Sequence, residues 1–362
     1  MAAILYYLTG HGFGHAVRSL EVARRLMALR PQVAVHVRGA VPQWLVRGVE
    51  ARLVHTGCAI DVGMVQGDSL ELDIAATLAA WERWRERSAE LIERELAYIR
   101  ANEIALVLGD IPPLAFELAA RAAIPSIAIA NFTWSAIYSG YVEAHPGFRP
   151  LIEEIDGQYR RATLALALPY SCAGAPFERI ESIPWIARRS VLSREEARRR
   201  LGLPPQRKAV LLSFGGLGLR RLPWEELRLC RDYLFITTGD DVGRRGNLLT
   251  LPPAQHSYAD IIRAADVIVT KPGYGIVADA IAHRVAVLYT DRGDFAEYPR
   301  LVQALRECAT AEFIPRSDLL AGNLVPYLER LLAREPHWPE VALDGAAVAA
   351  RRILDVLDGR PG

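Results

Sequence analysis

The stretch Ile4-Leu-Tyr-Tyr-Leu-Thr-Gly-His-Gly-Phe-Gly-His15 decides the fold of this chain. Its apolar run, Ile4 to Leu8, predicts a short buried strand, and the apolar spacing from Val17 to Met27 predicts a helix directly afterwards. The turn between them carries three glycines and two histidines: Gly10, Gly12, Gly14, His11 and His15. Such strand–turn–helix units build open parallel sheets, which bind ligands outside the carboxyl ends of their strands.

The histidines of this turn have a chemical and a structural interpretation. A histidine at a strand end can accept a proton near neutral pH, whereas either ring could instead cap or brace the turn. A dinucleotide site is a further alternative for a glycine-rich first turn. The Gly-x-Gly-x-Gly spacing and the lack of an acidic residue in 33–38 argue against it.

Composition limits the class of protein. The chain has 362 residues, of which 51% are hydrophobic, so we expect two domains with substantial cores. The net charge of +1 gives no electrostatic case for nucleic acid. Four scattered cysteines, Cys58, Cys172, Cys230 and Cys308, predict a reduced cytoplasmic protein. We expect no signal peptide, membrane span or metal site.

Strand and helix patterns alternate along the whole chain, which predicts the α/β class with two doubly wound, Rossmann-like parallel-sheet domains facing a central cleft. Expected strands cover 34–37, 104–109, 124–130, 210–214, 233–237, 266–270 and 285–289. Expected helices cover 42–49, 75–100, 114–123, 152–165, 259–264, 276–282, 319–332 and 346–357. We place the domains at 1–185 and 186–345, with 346–362 a closing helix that packs back on the first domain.

The second domain has glycine-rich turns of its own. Gly215 and Gly216 follow one predicted strand, and Lys271-Pro-Gly-Tyr-Gly275 follows another and opens a helix. Amides at a helix N-terminus attract anions, and Lys271, one of only two lysines in the chain, adds a full positive charge. Two such turns in one domain suit a diphosphate; the alternative is that the glycines only permit tight turns.

Carboxylates near these turns are further candidates. Asp110 ends a first-domain strand and could orient His15, which suggests a general base because no nucleophile motif accompanies the pair. Asp279 follows the second-domain turn and could accept hydrogen bonds from ribose hydroxyls or pair with the helix dipole. Asp294 and Glu297 lie in an acidic loop that suits sugar hydroxyls or is simply solvated.

The motifs together resemble glycosyltransferases of the GT-B fold over essentially the whole chain. Gly10–His15 with Arg18-Ser19-Leu20 is similar to the N-terminal loop of that family, and 270–289 with Asp294 is similar to its donor-binding signature. The likeness is to the branch of the peptidoglycan N-acetylglucosaminyltransferase and, more closely, to the glycosyltransferase-like N-terminal region of plant arabinokinases. Asp279 stands where that family usually has glutamate, Lys271-Pro272 replaces a small residue or histidine, and His11 is extra.

The resemblance implies transfer of a hexose or N-acetylhexosamine from a nucleotide-diphosphate sugar, a UDP-sugar by preference, to an acceptor hydroxyl with inversion. It implies catalytic roles for His15, Asp110 and His11, no cofactor and no metal. It implies nucleotide-sugar binding by the following set: Gly12, Gly14, Gly215, Gly216, Tyr258, Lys271, Gly273, Tyr274, Gly275, Asp279, Asp294 and Glu297.

Two other functions fit the same fold: a UDP-sugar 2-epimerase and a nucleotide-sugar-binding module without turnover. The acceptor, whether glycan, lipid or small molecule, is not specified by the sequence. Residues 41–47, with Trp44 and Arg47, could form a peripheral contact with the inner face of a membrane or pack on their own domain.

Overall fold

The computed structural model describes residues 2–46, 53–68, 71–172, 176–215, 223–253 and 255–360. It contains two seven-stranded sheets and one small hairpin, with helices between most of the successive parallel strands. The first strand is buried on both faces, as an interior strand of a helix-covered parallel sheet must be. The predicted α/β class with two parallel-sheet domains is therefore confirmed.

The first sheet is entirely parallel, in the order β3-β2-β1-β6-β7-β8-β9. Its strands are β1 Ala3–Leu8, β2 Ala34–Gly39, β3 Leu53–Thr56, β6 Ile104–Asp110, β7 Ser126–Phe132, β8 Leu164–Cys172 and β9 Ile180–Ser182; β4 Val65–Asp68 and β5 Glu71–Asp73 form the hairpin. Its helices are α1 Phe13–Leu29, α2 Gln43–Val46, α3 Ile74–Ala101, α4 Leu114–Arg121, α5 Trp134–Ser139 and α6 Phe148–Tyr159.

The second sheet has the order β12-β13-β11-β10-β14-β15-β16 and is parallel except for the β12–β13 pair. Its strands are β10 Lys208–Ser213, β11 Tyr233–Thr238, β12 Gly243–Arg245, β13 Leu248–Leu251, β14 Val267–Thr270, β15 Ala286–Tyr289 and β16 Ala311–Phe313. Its helices are α7 Arg194–Arg200, α8 Trp224–Leu229, α9 Tyr258–Ala264, α10 Tyr274–His283, α11 Tyr298–Cys308, α12 Arg316–Leu320 and α13 Val325–Leu332.

Each sheet has a topological switch point, where the chain connections from two neighbouring strands lead toward opposite edges of the sheet. In the first sheet it lies between β1 and β6, whose last paired residues are Leu8 and Asp110. In the second it lies between β10 and β14, whose last paired residues are Ser213 and Thr270. Crevices at such points are the usual ligand sites of open α/β sheets. The three glycine-rich turns singled out in the sequence follow three of these four strands, β1, β10 and β14.

The last helix, α14 (Gly345–Leu357), returns to the first domain and packs along α1. Arg30 beyond the end of α1 donates two hydrogen bonds of 2.6 and 2.7 Å to the Asp358 carboxylate. The two chain segments that cross between the domains meet at an antiparallel bridge between Ile186 and Asp344. One continuous hydrophobic core runs from Ile4 through both sheets to α14.

Several expected elements differ from the observed ones. The predicted helix at 152–165 ends at Tyr159, because the alternating Leu-Ala run from Leu164 pairs in parallel with β7 as strand β8. The predicted helix at 319–332 is broken at Gly322, whose φ of +80° interrupts the helical backbone. Helix α11 was not predicted, and part of the expected helix at 42–49 lies outside the described residues.

Candidate active site

His15 and Asp110 meet at the switch point of the first sheet. Gly12, with φ of +87°, ends the turn as the N-cap of α1, and His15 projects from the first turn of that helix. Its Nδ1 lies 2.9 Å from Oδ1 of Asp110, which is fully buried at the end of β6. With the proton on Nδ1 donated to the carboxylate, Nε2 of His15 keeps its lone pair and can accept a proton.

Two further residues of α1 bind the same carboxylate, and sequence analysis assigned them no role. Arg18 Nε donates to Asp110 Oδ2 at 2.7 Å, and the Ser19 hydroxyl donates to the same oxygen at 2.6 Å. Nη2 of Arg18 also contacts Asp110 Oδ1 and lies 2.9 Å from His15 Nδ1. Burial alone would raise the pKa of Asp110, but the charges of Arg18 and His15 outweigh it and lower the pKa to about 2. Asp110 is therefore ionised throughout the physiological range.

The sequence did carry a signal for this cluster. His15, Arg18 and Ser19 are spaced i, i+3 and i+4, so a helix brings them to one face. Which acidic residue they face depends on β6 lying beside β1, a contact between residues more than 90 positions apart. Only the sheet order supplies that information.

His11 occupies a different environment from His15, although four positions separate them. Its ring packs edge-on to Trp134, with centroids 5.1 Å apart, and stacks on Phe295 of the second domain at 6.1 Å. Burial, reinforced by the charges of Arg292, His15 and Lys271, holds the pKa of His11 well below its usual value. Nδ1 accepts a hydrogen bond of 3.4 Å from the Met64 amide, so the proton of the neutral ring is on Nε2.

These contacts separate the two histidines chemically. His11 keeps a donor on Nε2 and uses its acceptor nitrogen on the protein backbone. His15 uses its donor on Asp110 and keeps an acceptor. The arrangement therefore favours His15 as a base and His11 as a hydrogen-bond donor, roles that remain predictions for both residues.

A second buried carboxylate, Asp61, supports the first turn and was missed in the sequence. Its Oδ2 accepts a hydrogen bond of 2.9 Å from the Trp134 indole, and Thr9 and Gly10 of the turn also bond to the carboxylate. Burial raises the pKa of Asp61 despite these bonds. Because Asp61 holds both the turn and Trp134, it fixes the surroundings of His11.

The second-domain turn meets the first-domain turn directly. A Cβ built on Gly275 would lie 3.3 Å from the Cα of Gly14, so a side chain at position 275 would crowd the first-domain turn. Both glycines lie in the first turns of their helices, α1 and α10, whose N-termini therefore converge. Unpaired amides and the positive dipole ends of two helices, with Lys271 beside them, form a setting for an anionic group.

The side chain of Tyr274 points away from these helix N-termini. Its ring stacks on Trp185 with centroids 5.0 Å apart and lies under the Arg18 guanidinium at 5.3 Å. Burial raises the pKa of its hydroxyl well above the usual value, and only 5% of the residue is exposed. The Tyr274 side chain therefore packs between the two domains, and a role for Tyr274 in holding a diphosphate stays a prediction that would fall to its backbone.

The other predicted turn of this domain follows β10. Gly215 adopts φ of +76°, and no atom of the described residues lies within 4 Å of a Cβ built there. Gly216 lies outside the described residues. Tyr258 is half-buried nearby, with its hydroxyl 2.6 Å from that of Ser213 and its ring under the Arg188 guanidinium at 4.9 Å.

Asp279 does not present a free carboxylate. Oδ1 accepts a 2.8 Å hydrogen bond from the Arg188 amide, and Oδ2 accepts bonds of 2.8 and 2.5 Å from the Arg188 side chain. Only 2% of Asp279 is exposed. The expected ribose contact is corrected in this respect: the carboxylate anchors the segment that enters the second domain, and a ribose would have to compete with Arg188.

Glu297 is likewise engaged, as a link between the domains. Arg292 donates to one oxygen at 2.7 Å, and the side-chain Nδ2 of Asn131 in the first domain donates to the other. Asp294 is exposed, and its carbonyl accepts a bond from the Tyr141 hydroxyl across the cleft. The acidic loop is therefore not simply solvated: it closes against the first domain, while Asp294 stays exposed.

The described residues hold neither a metal-binding cluster nor a membrane-spanning helix. No group of three or more histidine, cysteine, aspartate or glutamate side chains there is placed to hold a metal ion. No helix in those ranges combines the length and apolar character needed to cross a bilayer.

Trp44 of the expected membrane patch packs edge-on to Phe13 with centroids 5.4 Å apart, and Arg47 lies outside the described residues. Membrane contact thus has no support beyond the sequence.

Comparison with known proteins first shows one curated relative. An L-arabinokinase of Arabidopsis thaliana is 33% identical over an alignment that covers 98% of this chain and 34% of that protein. The predicted resemblance to plant arabinokinases is thereby confirmed, and the chain spans about a third of that relative's length. No protein-family model matches the chain.

Solved structures show the fold. UGT2 of Phytolacca americana, complexed with UDP-2fluoro-glucose and pterostilbene, superposes with a TM-score of 0.62 at 12% identity, covering 99% of this chain and 94% of that one. Glycosyltransferase VinC in complex with DTDP gives 0.60 at 16% identity, covering 99% and 96%. Arabidopsis thaliana UGT89C1 complexed with UDP gives 0.58 at 14%, covering 99% and 95%. The chain has the GT-B fold, as predicted.

Proposed function

We propose that this chain is a glycosyltransferase that moves a hexose or N-acetylhexosamine from a nucleotide-diphosphate sugar, a UDP-sugar by preference, to an acceptor hydroxyl. One observation carries the proposal: a buried His–Asp pair at one switch point lies opposite a helix N-terminus at the other, with Gly14 and Gly275 in contact. The ligands in two of the structural neighbours, UDP and DTDP, are of the same chemical class.

In the proposed reaction, Nε2 of His15 removes the proton of the acceptor hydroxyl as its oxygen attacks the anomeric carbon. The bond to the diphosphate breaks on the opposite face, so the configuration inverts. Ionised Asp110 stabilises the imidazolium that forms on His15. Arg18 and Ser19 hold Asp110 in place, and Arg18 also offsets part of its charge.

The leaving diphosphate needs its charge neutralised as it forms. We assign this to the first amides of α10 at Gly273 and Gly275, to Lys271, and to the turns at Gly215 and Gly12, without a metal ion. Tyr258 would line the nucleobase site. Asp294 is the acidic group of the second-domain loop most open to sugar hydroxyls, and Glu297 would join it only after releasing Asn131.

A binding module without turnover is the second candidate. It is favoured by the pairing of Asp279 with Arg188 and of Glu297 with Asn131, which occupies two carboxylates expected at the donor. Incubation of the protein with UDP-sugars and a panel of acceptor alcohols, followed by mass spectrometry, separates the candidates. A glycosylated acceptor supports transfer, and bound but unchanged donor supports the module. Epimerised donor formed without acceptor would instead support a 2-epimerase.

A further inference from the structure

A cavity separate from the cleft lies at the carboxyl end of α10, whereas the N-terminus of this helix faces the cleft. It has a volume of about 490 Å³ and is bounded by the carboxyl ends of α9 and α10 and by segments 189–192 and 338–343. The two segments belong to the chain crossings between the domains, which meet at the Ile186–Asp344 bridge. Because α10 has ten residues and rises roughly 1.5 Å per residue, this hinge cavity is separated from the proposed diphosphate turn.

Three arginines line the hinge cavity: Arg189, Arg263 and Arg284. None of them forms an ion pair with a carboxylate in the part of the chain that the structure describes. The neighbouring arginines differ in this respect, since Arg188 is bound to Asp279 and Arg198 to Asp266. Guanidinium groups without a carboxylate in ion-pair contact, gathered around one concave surface, are typical of sites for phosphate or carboxylate.

Helix capping does not account for Arg284. The last carbonyls of α10 already accept backbone hydrogen bonds: the Arg284 amide bonds to Ile281 and the Val285 amide to Ala280. Arg284 also has φ of +55°, a left-handed conformation that favours glycine. The chain therefore has a cationic side chain at position 284, where the backbone conformation favours glycine.

The remaining lining is nearly free of negative charge. Glu340 is the one carboxylate that lines the cavity among the described residues, which leaves a formal surplus of two positive charges. His283 is not a competing charge, because its Nε2 accepts from the Ser190 amide and its Nδ1 lies 2.8 Å from the Asp279 carbonyl. A dianion would balance the cavity.

Apolar side chains complete the wall. Trp338, Leu192 and Val341 face the same space as the arginines. A bare inorganic ion would leave this surface wet, whereas a ligand that joins a phosphate to a flat or ring-shaped body would cover it. The volume falls within the range of roughly 300–1,000 Å³ typical of small-molecule sites.

We propose that the hinge cavity binds a phosphate monoester carried on a ring-shaped body, with the phosphate on Arg263 and Arg284 and the ring against Trp338. Two sources share this chemistry: a sugar phosphate and a nucleoside monophosphate. The site is independent of the proposed transferase activity, since it uses none of the residues assigned to the cleft.

Isothermal titration with glucose 1-phosphate, AMP, inorganic phosphate and glucose tests this proposal. Arg284→Gly removes one guanidinium without backbone strain, and Arg263→Gln removes a second. Arg199→Gln, on an arginine whose side chain is 78% exposed, is the matched control, and Lys271→Ala reports binding in the cleft. We expect at least one phosphate ester to bind more tightly than inorganic phosphate, with glucose not binding. Arg284→Gly and Arg263→Gln should each weaken that ester about tenfold, and the other two variants should not.

The preferred ester identifies the source of the ligand. Two results would overturn the proposal: no phosphate ester binds at millimolar concentration, or binding disappears in Lys271→Ala and persists in Arg284→Gly. The second result would place the ester in the cleft and leave the proposed function standing. Quenching of Trp338 fluorescence, compared with a Trp338→Phe variant, provides an independent readout of ring contact.

Discussion

The two switch points start from the same strand–turn–helix unit and use it differently. In the first domain, side chains of α1 converge on a strand end, where His15, Arg18 and Ser19 surround Asp110. In the second domain, the side chain of Tyr274 leaves the turn of α10 for the interface between the domains. The first turn thus offers side-chain chemistry, whereas the second offers backbone amides and Lys271. A glycine-rich turn fixes where a ligand can approach, and the helix behind it determines which groups it meets.

The largest effect on activity should come from a substitution in the first turn. His15→Gln removes the proposed base and leaves the amides of the second turn intact. We expect transfer to fall by about 10²–10⁴-fold, the usual contribution of a general base, with nucleotide binding unchanged. Product formation and titration on the same preparation measure both quantities. Wild-type turnover by this variant would exclude His15 as the base.

Asp110→Asn tests whether charge holds together the cluster that His15, Arg18 and Ser19 form around Asp110. The substitution leaves the Arg18 guanidinium buried without its anion, which costs about 3–5 kcal/mol of unfolding free energy. Urea denaturation measures this loss. Adding Arg18→Met to the variant should restore part of the stability, because it removes the stranded charge. Equal losses in the single and double variants would mean that the stranded charge of Arg18 does not cause the loss of stability.

Gly275→Ala probes the contact between the two turns. The new methyl group would lie 3.3 Å from Gly14 Cα and push the helix ends apart by a few tenths of an ångström. We expect several-fold weaker binding of nucleotide diphosphates, because amides from both turns would no longer approach one ligand. Gly157→Ala on α6 is a suitable control, since its nearest contact is the end of the flexible Arg160 side chain at 3.9 Å. Equal affinities in both variants would show that the helix ends act separately.

The smallest expected effect is the pH dependence contributed by His11. Its folded-state pKa is depressed, so below about pH 6.5 the unfolded chain binds a proton that the folded chain does not. Stability is therefore lost as pH falls below that value, by at most about 1.4 kcal/mol per pH unit from this residue. The difference in stability between wild type and His11→Asn, followed by urea denaturation from pH 7.5 to 5, should shrink as the pH falls. A constant difference would mean that His11 titrates normally.

The sequence predicted what is local in the chain. Strand–turn–helix units around His15 and Lys271 follow from apolar periodicity and glycine spacing, and both are where expected. The pairs that occupy Asp279 and Glu297 join residues 91 and 166 positions apart, and no pattern in the sequence indicates them. The Leu-Ala run at 164–168 fits helix or strand equally, so only pairing with β7 decides it.

The two switch points together are proposed to bind a nucleotide diphosphate, and titration of the purified protein with UDP, GDP and dTDP tests this most directly. We expect micromolar binding of UDP, about tenfold weaker in Lys271→Ala and unchanged in Lys208→Ala, whose lysine side chain is 58% exposed at the start of β10. Absence of binding by every nucleotide, or equal affinity in Lys271→Ala and wild type, would contradict the claim.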